Sequence, residues 1–269
     1  MKKKQKFTVN TLEGKMLESL KKEVYEANME LVARGLVINT WGNVSGIDRA
    51  SGLVVIKPSG VPYDELTPDC LPVLDLDGKV IEGRLKPSSD TPTHLALYRA
   101  FPEIGGVTHT HSTHAVAFAQ AGRSIAAYGT THADYFSGAI PCTRKMTPEE
   151  IAGSYEKETA AVHKAVADNR LKRCADRPIG FVHRNDVRMG KHAERMRAAL
   201  VHSHGPFTWG KNAAESVEVS AVLEVVAQMA LYTEQLFAAA GQKPEIIQPE
   251  LLSRHYDRKH GKNAYYGQN

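Results

Sequence analysis

The stretch Gly105-Gly106-Val107-Thr108-His109-Thr110-His111 predicts a β-strand that ends in two histidines. The residues just before it, Thr93 to Ala100, predict a helix, and Ala198 to His202 predict a second strand that also leads into histidines. Helices and strands that alternate along one chain are typical of an α/β fold, in which the strands form the central layer. We therefore predict an α/β protein with histidines at the ends of its strands.

Four further segments with regular apolar spacing surround this centre: Leu17 to Leu36, Leu53 to Ile56, Leu71 to Leu76 and Ala213 to Ala240. The first and last have helical spacing, whereas the middle two are β-rich. Gly35 supplies a stop for the first helix, and Asp77-Gly78 is a hairpin signal. Another helix is predicted to begin at Thr147-Pro148 and to run to about Val166. No repeat or Pro/Ser-rich linker divides the sequence, so we predict a single domain over residues 1–269.

The composition is that of an ordinary globular protein, since 42% of the 269 residues are hydrophobic and 24% are charged. No stretch approaches the roughly 20 apolar residues that span a bilayer, and no apolar run follows the basic start, so neither a membrane protein nor a secretory signal is expected. Three widely spaced cysteines, Cys70, Cys142 and Cys174, favour a reducing cytoplasm over a disulfide framework. A net charge of +4 is too small to predict a nucleic-acid partner.

Residues 169–197 depart from this composition. Basic side chains crowd the segment without clear periodicity: Arg170, Lys172, Arg173, Arg177, Arg184, Arg188, Lys191, Arg195 and Arg197. A solvated or partly disordered insertion is favoured over a nucleic-acid patch.

Two His-x-His pairs indicate a metal site. His109 and His111 lie two apart on a predicted strand, so both side chains would point to one face with Cα atoms about 7 Å apart, close enough to share an ion. The second pair, His202-Ser203-His204, also follows a strand, and Asp90 lies in a turn before a helix, where it has the alternative role of a cap. Three imidazoles and one carboxylate leave a cation with positions for substrate oxygens. Spacing alone does not decide between His202 and His204.

Three small polar loops have the chemistry of an anion site. They are Trp41-Gly42-Asn43-Val44-Ser45-Gly46, Lys57-Pro58-Ser59-Gly60 and Lys86-Pro87-Ser88-Ser89. Each combines backbone N–H groups in a bent turn with hydroxyl, amide or ammonium groups, although ordinary turns have the same composition. Because they do not match a P-loop or a dinucleotide fingerprint, they favour a phosphorylated small molecule over a nucleotide.

Several runs resemble the class II aldolase family: Thr40 to Ser45, Lys57 to Val61, Lys86 to His94 and His109 to His111. Others resemble the epimerase members of that family: Gly129 to Phe136, Ile140 to Arg144, His202 to Phe207 and His260 to Gln268. The resemblance covers the chain from about Leu17 to Gln268. The departure is the basic stretch at about 169–197, an insertion relative to the family.

The resemblance implies a three-layer α/β/α sandwich around a mainly antiparallel sheet, in a homotetramer with active sites between subunits. The implied metal ligands are Asp90, His109, His111 and His204. The implied substrate contacts are Gly42, Asn43, Ser59, Gly60, Ser88 and Ser89. The implied proton-transfer pair is Asp134 and Tyr266, with Tyr266 from the adjacent subunit and with His255 and Arg258 as secondary candidates. Zn²⁺ suits such histidine-rich ligation, with Mn²⁺ or Co²⁺ as alternatives.

The activity that the resemblance implies is the metal-dependent epimerisation of L-ribulose 5-phosphate to D-xylulose 5-phosphate at C4, by a retro-aldol and aldol sequence. One alternative is an aldolase of the same family that cleaves a deoxy-ketohexose 1-phosphate, although such members typically carry a Glu base near the position of Asp90. The other is a non-catalytic scaffold like the adducin head domain, against which the retained histidines argue.

Overall fold

The computed structural model describes residues 11–152, 193–262 and 264–265. The helices are α1 (Thr11–Ala33), α2 (Thr91–Ala100), α3 (Thr113–Gln120), α4 (Thr130–Ala133), α5 (Pro148–Ala152), α6 (Ala213–Ala239) and α7 (Pro249–His260). The strands are β1 (Asn43–Asp48), β2 (Leu53–Ile56), β3 (Val73–Leu74), β4 (Val80–Glu82), β5 (Gly106–His109), β6 (Ala198–Leu200) and β7 (Pro206–Gly210). Within these ranges no helix is both long and apolar enough to cross a membrane.

The seven strands form one sheet in the order β4-β3-β2-β1-β5-β7-β6, and every neighbouring pair is antiparallel. In the centre of the sheet, Asn43 of β1 is paired with His109 of β5, which is paired in turn with Phe207 of β7. This register brings three residues from distant parts of the sequence side by side at one end of the sheet.

Helices pack on both faces of the sheet. Successive residues of a strand point to opposite faces, so each strand contributes apolar side chains to both helical layers. On one face, Val44 and Val55 pack in a cluster with Leu31 of α1 and Val217 of α6. On the other face, strand residues pack with α2 and α3 in a larger cluster that includes Val54, Val107, Trp209, Tyr98 and Phe118. The predicted three-layer α/β/α sandwich around a mainly antiparallel sheet is confirmed.

The long helix α6 begins against the backbone of β5. A Cβ atom added at Gly106 would lie 2.2 Å from the carbonyl oxygen of Asn212, so this approach requires glycine. The Asn212 side chain caps α6 by accepting the N–H of Glu215 at 2.8 Å. A hydrogen bond of 2.7 Å between the buried hydroxyls of Thr108 and Ser216 joins the strand and helix again. These contacts fix α6 relative to the histidine end of β5.

Local signals located several elements correctly. Gly35 has φ of +65° just after α1, and Gly78 has φ of +86° in the turn that joins the antiparallel strands β3 and β4, so the predicted stop and hairpin are confirmed. The helix predicted to begin at Thr147-Pro148 does begin at Pro148. Its continuation beyond Ala152 lies outside the described residues.

Other predictions were wrong. The run Trp41–Gly46 was predicted to be a loop, but Asn43–Asp48 is the central strand β1, because distant partners satisfy its buried polar side chains. The strand predicted to continue to His111 ends at His109, and α7 was not predicted. The last five residues of the predicted basic insertion, 193–197, contain the buried Ala193, Met196 and Arg197, whereas the remainder of that stretch lies outside the described residues.

Candidate metal centre and acid–base site

Three histidines converge at one end of the sheet. His109 is the last residue of β5, His111 follows two residues later, and His204 lies in the turn between β6 and β7. One ring nitrogen of each lies within 4.8 Å of the corresponding atoms of the other two. Their ring centroids are 4.6 to 5.2 Å apart. Donor atoms at this spacing can bind a single ion at their common centre.

The orientation of His109 suits a metal ligand. Its Nδ1 donates to the carbonyl of Pro206 at 2.9 Å, and its ring stacks on Phe207 with centroids 4.3 Å apart. A carbonyl only accepts hydrogen bonds, so Nε2 carries the lone pair. This Nε2 is buried and has no hydrogen-bond partner among the described residues, and the same is true of Nδ1 of His204. The buried lone pair on Nε2 of His109, which has no partner there, fits a bound cation.

A carboxylate lies at the edge of the histidine cluster. Asp90 precedes α2, and its Oδ2 lies 3.9 Å from Nε2 of His109. Asn43 donates to the same oxygen at 2.8 Å, and the Ser88 hydroxyl lies at 3.4 Å. Burial raises the pKa of Asp90, but the nearby histidines, with His109 first, and the Asn43 hydrogen bond outweigh it and lower the pKa to about 2. Asp90 is therefore a carboxylate at neutral pH.

Burial keeps two of the three imidazoles, those of His111 and His204, neutral at the same pH. Burial, with contributions from His109 and His111, lowers the pKa of His204 to about 4, although Asp90 opposes the shift. Burial, with His109, also lowers the pKa of His111. Neutral imidazoles beside a carboxylate are the protonation states that bind a divalent cation.

The structure brings His204, but not His202, into the cluster. The His202 ring packs against Gly122 at the end of α3, where an added Cβ would lie 2.5 Å from its Nε2, and its Nδ1 contacts the Ser203 hydroxyl at 2.6 Å. Ser203 has φ of +64°, and this tight turn separates the two histidines. Backbone conformation thus places His204, and not His202, beside His109 and His111, and its role as a metal ligand stays a prediction.

The candidate anion loops lie beside the histidine cluster and are joined to each other. The N–H of Ser59 donates to the carbonyl of Lys86, and the N–H of Ser88 donates to the carbonyl of Lys57. Gly42 and Asn43 lie at the start of β1, next to His109, while Ser59, Gly60 and Ser89 are exposed. All six predicted substrate contacts therefore border one region, and their role as contacts stays a prediction.

A second polar cluster surrounds Asp134 at the end of α4. Its Oδ1 accepts from Nδ1 of His255 at 3.0 Å, and Arg258 donates to both carboxylate oxygens at 3.0 to 3.2 Å. Nε2 of His260 lies 2.8 Å from the Asp134 carbonyl oxygen. Three side chains of α7 thus hold this residue. No hydrogen bond or ion pair joins Asp134 to the three histidines in the described part of the chain, and Tyr266 lies outside that part.

Comparisons with known proteins agree with this geometry. The profile of the family described as "Class II Aldolase and Adducin N-terminal domain" matches residues 22–231. The chain belongs to the class II aldolase family. It is 48% identical over 254 residues to L-ribulose-5-phosphate 4-epimerase UlaF of Salmonella paratyphi B, with 94% of this chain and 100% of the relative covered. The corresponding protein of Salmonella typhi matches to the same extent.

Solved structures of class II aldolases share the fold. An L-fuculose 1-phosphate aldolase superposes with a TM-score of 0.64 at 22% identity, covering 88% of this chain and 95% of that chain. An L-fuculose 1-phosphate aldolase from Glaciozyma antarctica PI12 has a TM-score of 0.64 at 18% identity, covering 94% of this chain and 86% of that one. At these identities the likeness establishes the fold only.

Three buried polar residues of this class II aldolase domain were not among the predicted metal ligands, substrate contacts or proton-transfer groups. His94 of α2 shares the Ser45 hydroxyl with Tyr98, and burial lowers its pKa to about 3; His109 adds to this effect and Asp90 opposes it. Lys57 is buried beneath the anion loops, where its Nζ donates to the Val61 carbonyl at 2.7 Å. His132 in α4 contacts the Gly138 carbonyl at 2.7 Å. The observation that singles out these three residues is their burial in the folded chain, which sequence spacing does not reveal.

Proposed function

We propose that the protein is a metal-dependent epimerase that interconverts L-ribulose 5-phosphate and D-xylulose 5-phosphate at C4. The observation that carries the proposal is the 48% identity, across the whole length of the relative, to proteins named L-ribulose-5-phosphate 4-epimerase. The converging histidines support it, because a non-catalytic scaffold has no need of a histidine cluster in which a buried ring nitrogen of His109 lacks a partner. We further propose that the protein acts in the cytoplasm.

The proposed metal ligands are Asp90, His109, His111 and His204. Zn²⁺ suits three imidazoles and one carboxylate, with Mn²⁺ and Co²⁺ as alternatives. A bound divalent ion supplies Lewis-acid stabilisation of negative charge on substrate oxygens. Asn43 orients the Asp90 carboxylate through its 2.8 Å hydrogen bond, and Pro206 fixes the tautomer of His109 through its carbonyl.

The proposed reaction cleaves and re-forms the C3–C4 bond, since the hydrogen on C4 is not acidic. A base removes the proton from the C4 hydroxyl, the C3–C4 electron pair passes to an enediolate of dihydroxyacetone, and glycolaldehyde phosphate forms as the second fragment. The aldehyde rotates and is attacked on its opposite face, and an acid returns the proton to the new C4 oxygen. Opposite faces require two acid–base groups, which we assign to Asp134 and Tyr266.

The α7 side chains fix the proposed base. Arg258 donates to both oxygens of Asp134, and His255 lies at 3.0 Å from one of them, so the carboxylate is held in one orientation. Because no hydrogen bond or ion pair among the described residues joins Asp134 to His109, His111 or His204, we propose that it serves the metal centre of a neighbouring subunit. A homotetramer with active sites between subunits satisfies this requirement.

We propose that the two loops joined by backbone hydrogen bonds, at residues 57–60 and 86–89, bind the substrate phosphate. The N–H groups of Ser59 and Ser88 are used between the loops, so the contacts proposed for these two residues come from their hydroxyls. Lys57 lies beneath them, and burial lowers its pKa to about 8, which leaves a mostly protonated ammonium at neutral pH. A firm grip on the phosphate retains the aldehyde fragment until the bond re-forms.

The decisive experiment incubates the metal-loaded protein with L-ribulose 5-phosphate and measures D-xylulose 5-phosphate. We expect product that is abolished by a chelator and by His204→Asn, while His202→Asn in the same turn is the matched control and keeps activity. Asp134→Asn should abolish turnover while metal content is retained. A metal-loaded protein that yields no xylulose 5-phosphate but cleaves a deoxy-ketohexose 1-phosphate would favour the aldolase alternative, and a protein that binds no metal would favour the scaffold.

Mixing two inactive variants tests the shared site. In tetramers assembled from His109→Asn and Asp134→Asn chains, some interfaces combine an intact metal centre with an intact Asp134. If the two groups come from different subunits, random mixing should restore about a quarter of the parent activity. No recovery in proven mixed oligomers would place both groups in one subunit.

A further inference from the structure

An acidic residue far along the chain caps the helix that follows His111. Ser112 holds the N-cap position of α3, but its side chain does not cap the helix. Instead the carboxylate of Glu224, in the middle of α6, accepts the N–H of His114 at 2.9 Å and that of Ala115 at 3.0 Å. It also accepts a hydrogen bond of 2.7 Å from Nδ1 of His114. One side chain thus satisfies two free N–H groups at the positive end of α3.

Helix α3 connects the two segments that carry His111 and His204. Its first residue, Thr113, lies two positions after His111, so the start of the helix determines where that ligand candidate lies. At its other end, the carbonyl of Ala119 accepts the N–H of Ser203 at 2.9 Å, directly beside His204. A shift of α3 along or about its axis therefore moves both histidines relative to His109, which the central sheet holds in place.

Helix α6, which carries Glu224, is itself held firmly against the sheet. Helix α6 begins against β5 through the close approach at Gly106 and the hydroxyl pair of Thr108 and Ser216. Because β5 ends in His109, the path from His109 through β5, α6 and Glu224 to α3 is a continuous chain of packed backbone and hydrogen bonds. The Glu224 side chain is largely buried, with 17% of it exposed, so water does not readily replace its contacts.

We propose that Glu224 is a positioning residue for the metal centre: by capping α3 it sets the separation of His111 and His204 from His109. The inference rests on the proposed metal-binding function and extends it to a side chain that does not touch the ion. Residues that orient metal ligands typically contribute 10- to 100-fold to metal affinity, and Glu224 acts through a helix, so we expect about 10-fold.

The test measures the dissociation constant for Zn²⁺ by chelator competition and the visible spectrum of the Co²⁺-loaded protein. We compare the parent with Glu224→Ala and Glu224→Gln. The matched control is Glu234→Gln, because Glu234 lies in the same helix, is similarly buried at 12% exposure and loses an ion pair with Arg123, but has no bond to α3. The melting temperature of every metal-free variant is recorded as the measure of a purely structural effect.

We expect about 10-fold weaker Zn²⁺ binding and an altered Co²⁺ spectrum for Glu224→Ala, an intermediate effect for Glu224→Gln, which keeps one carbonyl acceptor, and parent values for Glu234→Gln. If the alanine variant does not fold, the glutamine variant decides. A lower melting temperature with unchanged affinity and spectrum would overturn the proposal, since Glu224 would then only stabilise the fold. A parent protein that binds no metal would overturn the proposed function as well.

Discussion

Acidification should destabilise the metal-free protein well above the pH at which carboxylates titrate. Two buried histidines, His94 and His132, carry this argument, and the less buried His111 and His204 act in the same direction. Burial lowers the pKa of His94 to about 3, with a smaller contribution from His109 and an opposing one from Asp90. Burial also lowers the pKa of His132 to about 4, although its hydrogen bond to the Gly138 carbonyl opposes the shift. Both imidazoles therefore stay neutral in the folded protein where the unfolded chain protonates them.

The sign and size follow from proton linkage. A histidine with a pKa of 6.5 when unfolded and 3 to 4 when folded contributes its full stability above pH 6.5, and this is lost as the pH falls. Each histidine costs about 1.4 kcal/mol per pH unit in this window, so the two together cost about 4 kcal/mol at pH 5. That is a large share of the 5–15 kcal/mol typical of a folded domain. Asp90, with a pKa of about 2, contributes only at lower pH.

Urea unfolding followed by circular dichroism, at several pH values from 5 to 7.5, measures this loss. A chelator and one fixed protein concentration keep metal binding and subunit association from altering the comparison. His132→Gln replaces one titrating ring with an amide, so it should reduce the loss of unfolding free energy between pH 6.5 and pH 5 by about 2 kcal/mol, whatever its stability at pH 7. Equal stability at pH 5 and pH 7, or an unchanged slope in this variant, would refute the reasoning.

Four further substitutions have defined outcomes. Gly106→Ala forces a Cβ to within 2.2 Å of the Asn212 carbonyl oxygen and should lower the unfolding free energy by about 3 kcal/mol, whereas Gly129→Ala, with nothing within 4 Å, should leave it nearly unchanged in urea unfolding. Asn212→Ala removes the α6 cap and should cost about 1 kcal/mol in the same assay. Arg258→Lys loses the bidentate hydrogen bonding to Asp134 and should lower kcat by about 10- to 100-fold at unchanged metal content. A kcat equal to that of the parent protein would exclude an orienting role for Arg258.

The sequence by itself determined the features that depend on neighbouring residues. The end of α1 at Gly35 and the hairpin at Gly78 require left-handed backbone conformations that glycine adopts at little cost, so local composition predicts them. The pairing of His109 with His111 is likewise local, because residues two apart in an extended chain point the same way. The sequence runs that resemble the class II aldolase family predicted the fold class correctly, and the family profile matches residues 22–231 of the chain.

Only the tertiary structure decided how these pieces meet. The polar run that begins at Asn43 was mistaken for a loop, because its side chains are satisfied by Asp90 and by His94 and Tyr98 of α2, some fifty residues away. The contacts between α7 and Asp134 span more than 120 positions. Hydrogen bonds across such separations leave no periodicity in the sequence, since their free energy depends on distance and burial in the folded chain rather than on spacing.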